Sequence, residues 1–171
     1  MISSQLTENE YSGFFSTYIN IAGNTILQEE LEICLHDFIR FVQNIPLDKF
    51  DYSYAEGKWT IKEIIQHIID TERIFQYRAL RISRNDKTPL SGFDENNYVD
   101  NSSGNLRTIQ DLLTEMAVVR QSTLSLYKSF STEQLLKTGT ASNNQISVRA
   151  IGFIIIGHQK HHQKIFEERY L

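Results

Sequence analysis

The chain has 171 residues, of which 40% are hydrophobic and 22% charged, values typical of a single globular domain spanning residues 1–171. The formal net charge is −4 and no segment is rich in Lys or Arg, which disfavours binding to nucleic acid. A single cysteine, no signal-peptide pattern at the N-terminus and no apolar run long enough to span a bilayer predict a cytoplasmic protein without a membrane partner.

Apolar residues spaced three and four apart, with only two prolines in the chain, predict an all-α fold built as a four-helix bundle. Residues 6–20 contain several aromatic side chains and are expected to form a short N-terminal helix docked on the bundle. The first long helix is predicted from about Ile26 to Val42, before Pro46 prevents its continuation. The second is predicted from Thr60, which forms a capping box with Glu63, to about residue 84.

The connection 86–105 is long for a helical bundle, so we expect it to cover one end. The third helix is predicted from near Thr108 to about Phe130, followed by a short helix that begins near Ser131 and ends at Gly139. The fourth is predicted to follow Ser147 and to run almost to the C-terminus. Its β-branched run 153–156 could form a buried strand instead, but the helical pattern continues on both sides. Because 153 and 156 lie opposite the main apolar stripe, we hypothesise a dimer contact there.

Histidines provide the strongest chemical signal in the chain. On a helix, His158 and His162 are neighbours roughly 6 Å apart, and two such imidazoles can bind one divalent ion at about 2.1 Å each. Both lie near the centre of the apolar stripe of the fourth helix, whereas His161 lies at its edge. Two buried imidazoles without partners would be costly, and a shared metal would satisfy both. The pair is compatible with a metal site and with hydrogen-bonded structural histidines.

A third ligand must come from another helix. The two candidates are His67, in line with Thr71 on the second helix, and His36, which has charged neighbours on the first; spacing does not decide between them. Asp70 and Glu63 are possible acceptors for the second imidazole nitrogen of His67, although a solvated charged face is the more ordinary role for both. Neither Glu-x-x-His nor His-Glu-x-x-His occurs, so a di-iron bundle and a zinc-protease helix are not supported.

Several further side chains are candidates for a substrate pocket near the histidines. Aromatic residues in a bundle most often pack in the core, and arginines most often pair on helix surfaces, so each has an ordinary structural alternative. Arg78 and Arg81 are candidates for meeting a carboxylate on a substrate. No general base can be named. The candidate pocket residues are Tyr11, Trp59, Thr71 and Tyr98.

Three segments resemble the DinB-like superfamily. They read GKWTIKEIIQHIIDTERIFQYRALR from Gly57, PLSGFDENNY from Pro89 and GHQKHH from Gly157. The match covers nearly the whole chain in the expected order. The resemblance implies a four-helix bundle, commonly a homodimer, with a metal between the second and last helices, and it selects His67 over His36 as the third ligand.

The resemblance also implies a class of reaction. Characterised members include metal-dependent transferases that join a low-molecular-weight thiol, such as bacillithiol or mycothiol, to an electrophile. We therefore predict a thiol-dependent S-transferase with one divalent metal, Zn, Ni, Fe or Mn, on His67, His158 and His162. Three histidine ligands leave coordination positions open, so water could replace the thiol and make the protein a hydrolase. The competing class is a non-catalytic bundle that binds a metal or a ligand.

Overall fold

The computed structural model describes residues 1–171 and is mostly helical. It contains seven α-helices, one β-hairpin and four short 3₁₀ turns. The elements are α1 (Gly13–Ala22), α2 (Leu27–Gln43), α3 (Ile61–Ser83), α4 (Glu95–Asp100), α5 (Ile109–Lys128), α6 (Thr132–Leu136), β1 (Thr138–Ala141), β2 (Asn144–Ser147) and α7 (Val148–Arg169). None of the helices combines the length and the apolar character needed to cross a membrane.

The four long helices, α2, α3, α5 and α7, form the predicted bundle. Helix α2 packs against α5 and α7, and α3 packs against the same two helices, so α2 and α3 lie on a diagonal of the bundle. The 44–60 connection between them therefore crosses one end. The all-α four-helix-bundle prediction is confirmed, and α3 and α7, which carry the candidate ligands, are direct neighbours.

Capping residues fix where the helices begin. The Thr60 hydroxyl accepts a hydrogen bond from the backbone N–H of Glu63 at 3.2 Å, and the Glu63 carboxylate accepts one from the backbone N–H of Thr60 at 2.7 Å. The hydroxyl groups of Thr108, Ser131 and Ser147 likewise accept a hydrogen bond from a backbone N–H in the first turn of their helices. The predicted bounds of the long helices are therefore correct to within two residues.

Two local predictions need correction. The N-terminal helix begins at Gly13 rather than near residue 6, because residues 6–12 form a 3₁₀ turn and an antiparallel bridge between Tyr11 and Ile146. The segment 138–147, predicted only as the end of a short helix, is an antiparallel hairpin. Its turn uses Ser142 and Asn143, both with positive φ, as tight hairpin turns require.

Helix α1 packs along α7 and covers the face that we hypothesised to be a dimer contact. Phe153 and Ile156 are fully buried within the single chain, so that hypothesis was wrong. The close approach depends on Gly157, since a Cβ atom there would lie 1.8 Å from the backbone oxygen of Tyr18. Gly157 therefore allows α1 to lie directly beside the histidines of α7.

A buried ion pair attaches the N-terminal segment to α7. The Glu10 carboxylate accepts hydrogen bonds from the Arg149 Nε at 2.6 Å and from the Ser147 hydroxyl at 2.9 Å. A second nitrogen of Arg149 donates to the backbone oxygen of Gln5 at 2.9 Å. The first turns of the chain are thus held on the bundle by buried polar contacts.

A second buried ion pair joins all four bundle helices. The Arg120 guanidinium of α5 donates to both carboxylate oxygens of Glu72 on α3, at 2.7 and 2.9 Å. It also donates to the backbone oxygen of Leu31 on α2 and to the side-chain oxygen of Gln159 on α7, both at 2.8 Å. The Sγ atom of Cys34 lies 3.0 Å from the same guanidinium, within the buried core. This polar layer fixes how the helices meet close to the histidines, since Gln159 directly follows His158 on α7.

Candidate metal centre

Three imidazole rings converge between α3 and α7. The Nε2 atom of His158 lies 3.0 Å from Nε2 of His67 and 3.1 Å from Nε2 of His162. One ring nitrogen from each of the three lies within 4.8 Å of the other two. All three side chains are buried, with 6–8% of their surface exposed. The structure thus brings together the three histidines predicted from the sequence as ligands.

This geometry fits a cation better than a hydrogen-bonded cluster. A neutral imidazole nitrogen carries either one proton or one lone pair, so Nε2 of His158 can form only one good hydrogen bond. It nevertheless has two ring nitrogens at about 3 Å. Two nitrogens that bind one ion at about 2.1 Å each are roughly 3–3.5 Å apart, and the two spacings from His158 lie in that range. A shared divalent ion would accept all three lone pairs.

Burial keeps the three rings neutral, which is the protonation state that a metal ligand needs. Desolvation lowers the pKa of His67 to about 4 and lowers the pKa values of His158 and His162 well below the ordinary value. Nδ1 of His162 is buried without a hydrogen-bond partner, and Nδ1 of His67 lies 3.5 Å from the Thr71 hydroxyl. In the tautomer that carries the proton on Nδ1, each neutral ring presents its Nε2 lone pair to the space between the three rings.

The other histidines and the neighbouring carboxylates lie outside this cluster. His36 is exposed on α2, and His161 is half-buried with its ring edge-on to Tyr18. Asp70 accepts a hydrogen bond from Gln66, and Glu63 caps α3, so neither carboxylate contacts the imidazole of His67. The suggestion that these two carboxylates support His67 is therefore corrected.

A cavity of about 530 Å³ opens beside the three histidines. Trp59 and Thr71 line it as predicted, and the Trp59 ring centre lies 5.0 Å from that of His67. Tyr11 and Tyr98 do not line it, which corrects both predictions. Tyr11 pairs instead with Ile146 beside the hairpin, and Tyr98 is an exposed residue of α4. The complete lining is Phe14, Phe15, Tyr18, Trp59, His67, Thr71, Phe75, Arg78, Gly92, Phe93, Glu95, Asn96, Ser142, Asn144, His158, His161 and His162.

Parts of this lining were not predicted from the sequence. One wall of the cavity comes from the long connection that was expected to cover one end of the bundle, namely Gly92, Phe93, Glu95 and Asn96. Ser142 and Asn144 come from the hairpin turn, whose Ser-Asn-Asn sequence was the only local signal for it. Arg78, for which pairing on the helix surface was the ordinary expectation, is instead 3% exposed and lines the cavity.

Comparison with known proteins identifies the family. The model of the family described as the DinB superfamily matches residues 30–166, which is most of the chain. The chain belongs to the DinB superfamily. All three histidines of this DinB-type bundle lie inside the matched range, together with the whole of α3 and most of α7.

Two relatives extend this assignment. A protein of Oceanobacillus iheyensis that bears the name "Putative metal-dependent hydrolase" is 24% identical over 123 residues, which cover 71% of this chain and 70% of the relative. The structure of YfiT from Bacillus subtilis, described as a "probable metal-dependent hydrolase with an unusual four-helix bundle topology", aligns with a TM-score of 0.72. Its identity is 15%, and the alignment covers 96% of this chain and 90% of YfiT, so this likeness supports the DinB fold.

Proposed function

We propose that this protein is a metal-dependent hydrolase of small molecules. The observation that carries the proposal is the cluster of three buried, neutral imidazoles at one side of an open cavity of about 530 Å³. Three histidine ligands leave coordination positions open, which is the pattern of catalytic rather than structural zinc sites. A divalent ion held there would activate a water molecule as a nucleophile and polarise a substrate carbonyl.

The surrounding residues of the chain have defined roles in this proposal. His67, His158 and His162 would hold the ion, and burial keeps them neutral for that purpose. The aromatic side chains Phe15 and Phe75 give the cavity an apolar wall that would bind the body of a substrate and exclude water. No residue is assigned as a general base, because no carboxylate contacts the histidine cluster.

The relatives support the choice of hydrolysis over thiol transfer. The names of both compared proteins refer to metal-dependent hydrolysis. The S-transferase predicted from the sequence rests on the family resemblance alone, and no residue of this chain specifies a thiol. It stays the alternative, since a thiol could occupy the same open position as a thiolate. A homodimer and a cytoplasmic location also stay predictions.

The test is turnover by protein loaded separately with zinc, nickel, manganese or iron. We expect metal-dependent hydrolysis of a model ester or amide, with a loss of about 100-fold or more in His158→Ala and near wild-type turnover in His36→Ala, which removes an exposed imidazole outside both the cluster and the cavity. Metal-dependent conjugation of bacillithiol or mycothiol to a model electrophile, without hydrolysis, would establish the transferase instead. Tight metal binding with neither reaction would identify a binding module.

A further inference from the structure

Arg78 is a buried cation that forms no ion pair in the protein. One of its terminal nitrogens donates to the backbone oxygen of Ser91 at 3.0 Å and to the hydroxyl of Ser142 at 2.9 Å. None of the ion pairs in the structure includes this residue. Burial lowers the pKa of Arg78, and the exposed carboxylate of Glu95, which lines the same cavity, opposes that shift from beyond ion-pair distance. A buried guanidinium without a carboxylate in contact is costly, so an anion from outside the chain would be stabilised beside it.

The protein leaves two donor groups of Arg78 unused. The Nε–H and the second terminal nitrogen have no hydrogen-bond partner in the protein, yet they are not among the buried polar atoms that lack partners. Both therefore keep some accessible surface, and Arg78 lines the cavity. The two groups lie on different edges of the guanidinium, so each offers a separate charge-assisted hydrogen bond to an anion that enters the cavity.

The fold holds this guanidinium in position. The backbone N–H of Leu90 donates to the oxygen of Thr140 at 2.9 Å, and the backbone N–H of Ser142 donates to the oxygen of Leu90 at 3.0 Å. These bonds attach the long connection to the hairpin turn, and Arg78 is anchored on both. The guanidinium also packs 5.4 Å from the ring centre of Phe75. Little side-chain entropy would be lost when the guanidinium binds an anion.

Arg78 and the histidines lie at opposite ends of one stripe of α3. His67, Thr71, Phe75 and Arg78 all line the cavity, and the eleven-residue separation of its ends corresponds to about 16 Å between Cα atoms along the helix. Long helical side chains point back toward the helix N-terminus, so the arginine reaches toward the histidines and shortens that gap. Aromatic side chains fill the wall between the two polar ends.

We propose that Arg78 binds a carboxylate on the substrate, so that the substrates are carboxylate-bearing molecules with an apolar or aromatic body. The carboxylate would accept hydrogen bonds from the free donors of Arg78, the apolar body would lie against Phe15 and Phe75, and the reacting group would lie beside the histidines. Only the placement of the reacting group beside the histidines rests on the proposed function. The carboxylate preference itself belongs to the chain and does not need a metal.

The experiment compares two probes of nearly equal shape, 4-phenylbutyrate and 4-phenylbutyramide, binding to metal-free protein at pH 8. Isothermal titration calorimetry should give a preference of at least tenfold for the carboxylate in the wild type. Arg78→Gln should reduce the preference to about one, and Arg78→Lys should keep part of it, because it retains the charge but loses the planar, anchored guanidinium. Arg81→Gln is the matched control and should keep the full preference, since Arg81 pairs with Asp86 outside the cavity.

Each outcome bears on the proposal. No carboxylate preference in the wild type, or no binding of the carboxylate at millimolar concentration, would overturn it without any variant. A preference that survives in folded Arg78→Gln, checked by circular dichroism, would overturn it as well. Because the measurement uses metal-free protein, the absence of a metal site would leave the carboxylate preference unchanged. The absence of a carboxylate site would abolish that preference and leave metal binding unchanged.

Discussion

Removal of Arg120 tests whether the buried polar layer holds the bundle together. Arg120→Met deletes both hydrogen bonds to the Glu72 carboxylate and those to α2 and α7, leaving Glu72 with the Thr123 hydroxyl at 2.6 Å. Both charged side chains are almost fully buried, with 0% and 2% of their surface exposed. Breaking such a pair costs about 3–5 kcal/mol, because one charge stays buried and uncompensated. The melting temperature should then fall by roughly 6–20 °C.

The assay is urea denaturation followed by circular dichroism, with a double-mutant cycle. Arg120→Met/Glu72→Leu removes both charges and should recover more than half of the stability that the single variant loses. Arg40→Met is the control, because Arg40 forms a surface pair with Asp37 in which both side chains are largely exposed, and it should unfold close to the wild type. Equal losses for the two arginine variants, or a double variant as unstable as the sum of its singles, would refute the reasoning.

Two further predictions concern how the N-terminal elements are held on the bundle. Gly157→Ala should destabilise the protein by about 1–3 kcal/mol in urea denaturation, because the added methyl meets the backbone of Tyr18. Gly13→Ala is the control and should not destabilise it, because there is open space around the added methyl. Similar free energies of unfolding for the two variants would contradict the contact. Burial alone would raise the pKa of Glu10, but its hydrogen bonds, led by that from Arg149, lower the pKa below 4.5. The ion pair therefore stabilises the fold above pH 4.5, and this stabilisation is lost as the pH falls through the lowered pKa of Glu10 in the folded protein. Glu10→Gln should be much less stable than wild type at pH 7, and the difference in the free energy of unfolding should shrink below pH 4. A difference that stays constant with pH would contradict the pKa shift.

The sequence predicts the features of this fold that depend on neighbouring residues. Helix bounds follow from capping residues such as Thr60 and Ser147 and from the spacing of apolar side chains, all of which act within a few residues. The pairing of His158 with His162 is local for the same reason. Their metal-ligand geometry with His67 is not local, because it depends on α3 and α7 being neighbours, and only the family resemblance selected that residue.

Features that depend on distant contacts were not predictable from these patterns. The hairpin 138–147 has strands of four residues and is stabilised by pairing with Leu90, which is far away in sequence. Tyr11 and Tyr98 have aromatic side chains suited to a pocket, but tertiary contacts decide where they lie. The helical pattern predicted Arg78 as a surface residue, but it is buried because the connection 86–94 and the hairpin turn pack over it.

Metal content is the most direct test of the central claim that three histidines bind one divalent ion. The measurement is elemental analysis of purified protein after reconstitution with zinc, nickel, manganese or iron and removal of free metal. We expect about one ion per chain in the wild type and in His161→Ala, and little or none in His67→Ala, His158→Ala and His162→Ala. Wild-type protein that binds no ion, or full metal content in folded His67→Ala, would contradict the account.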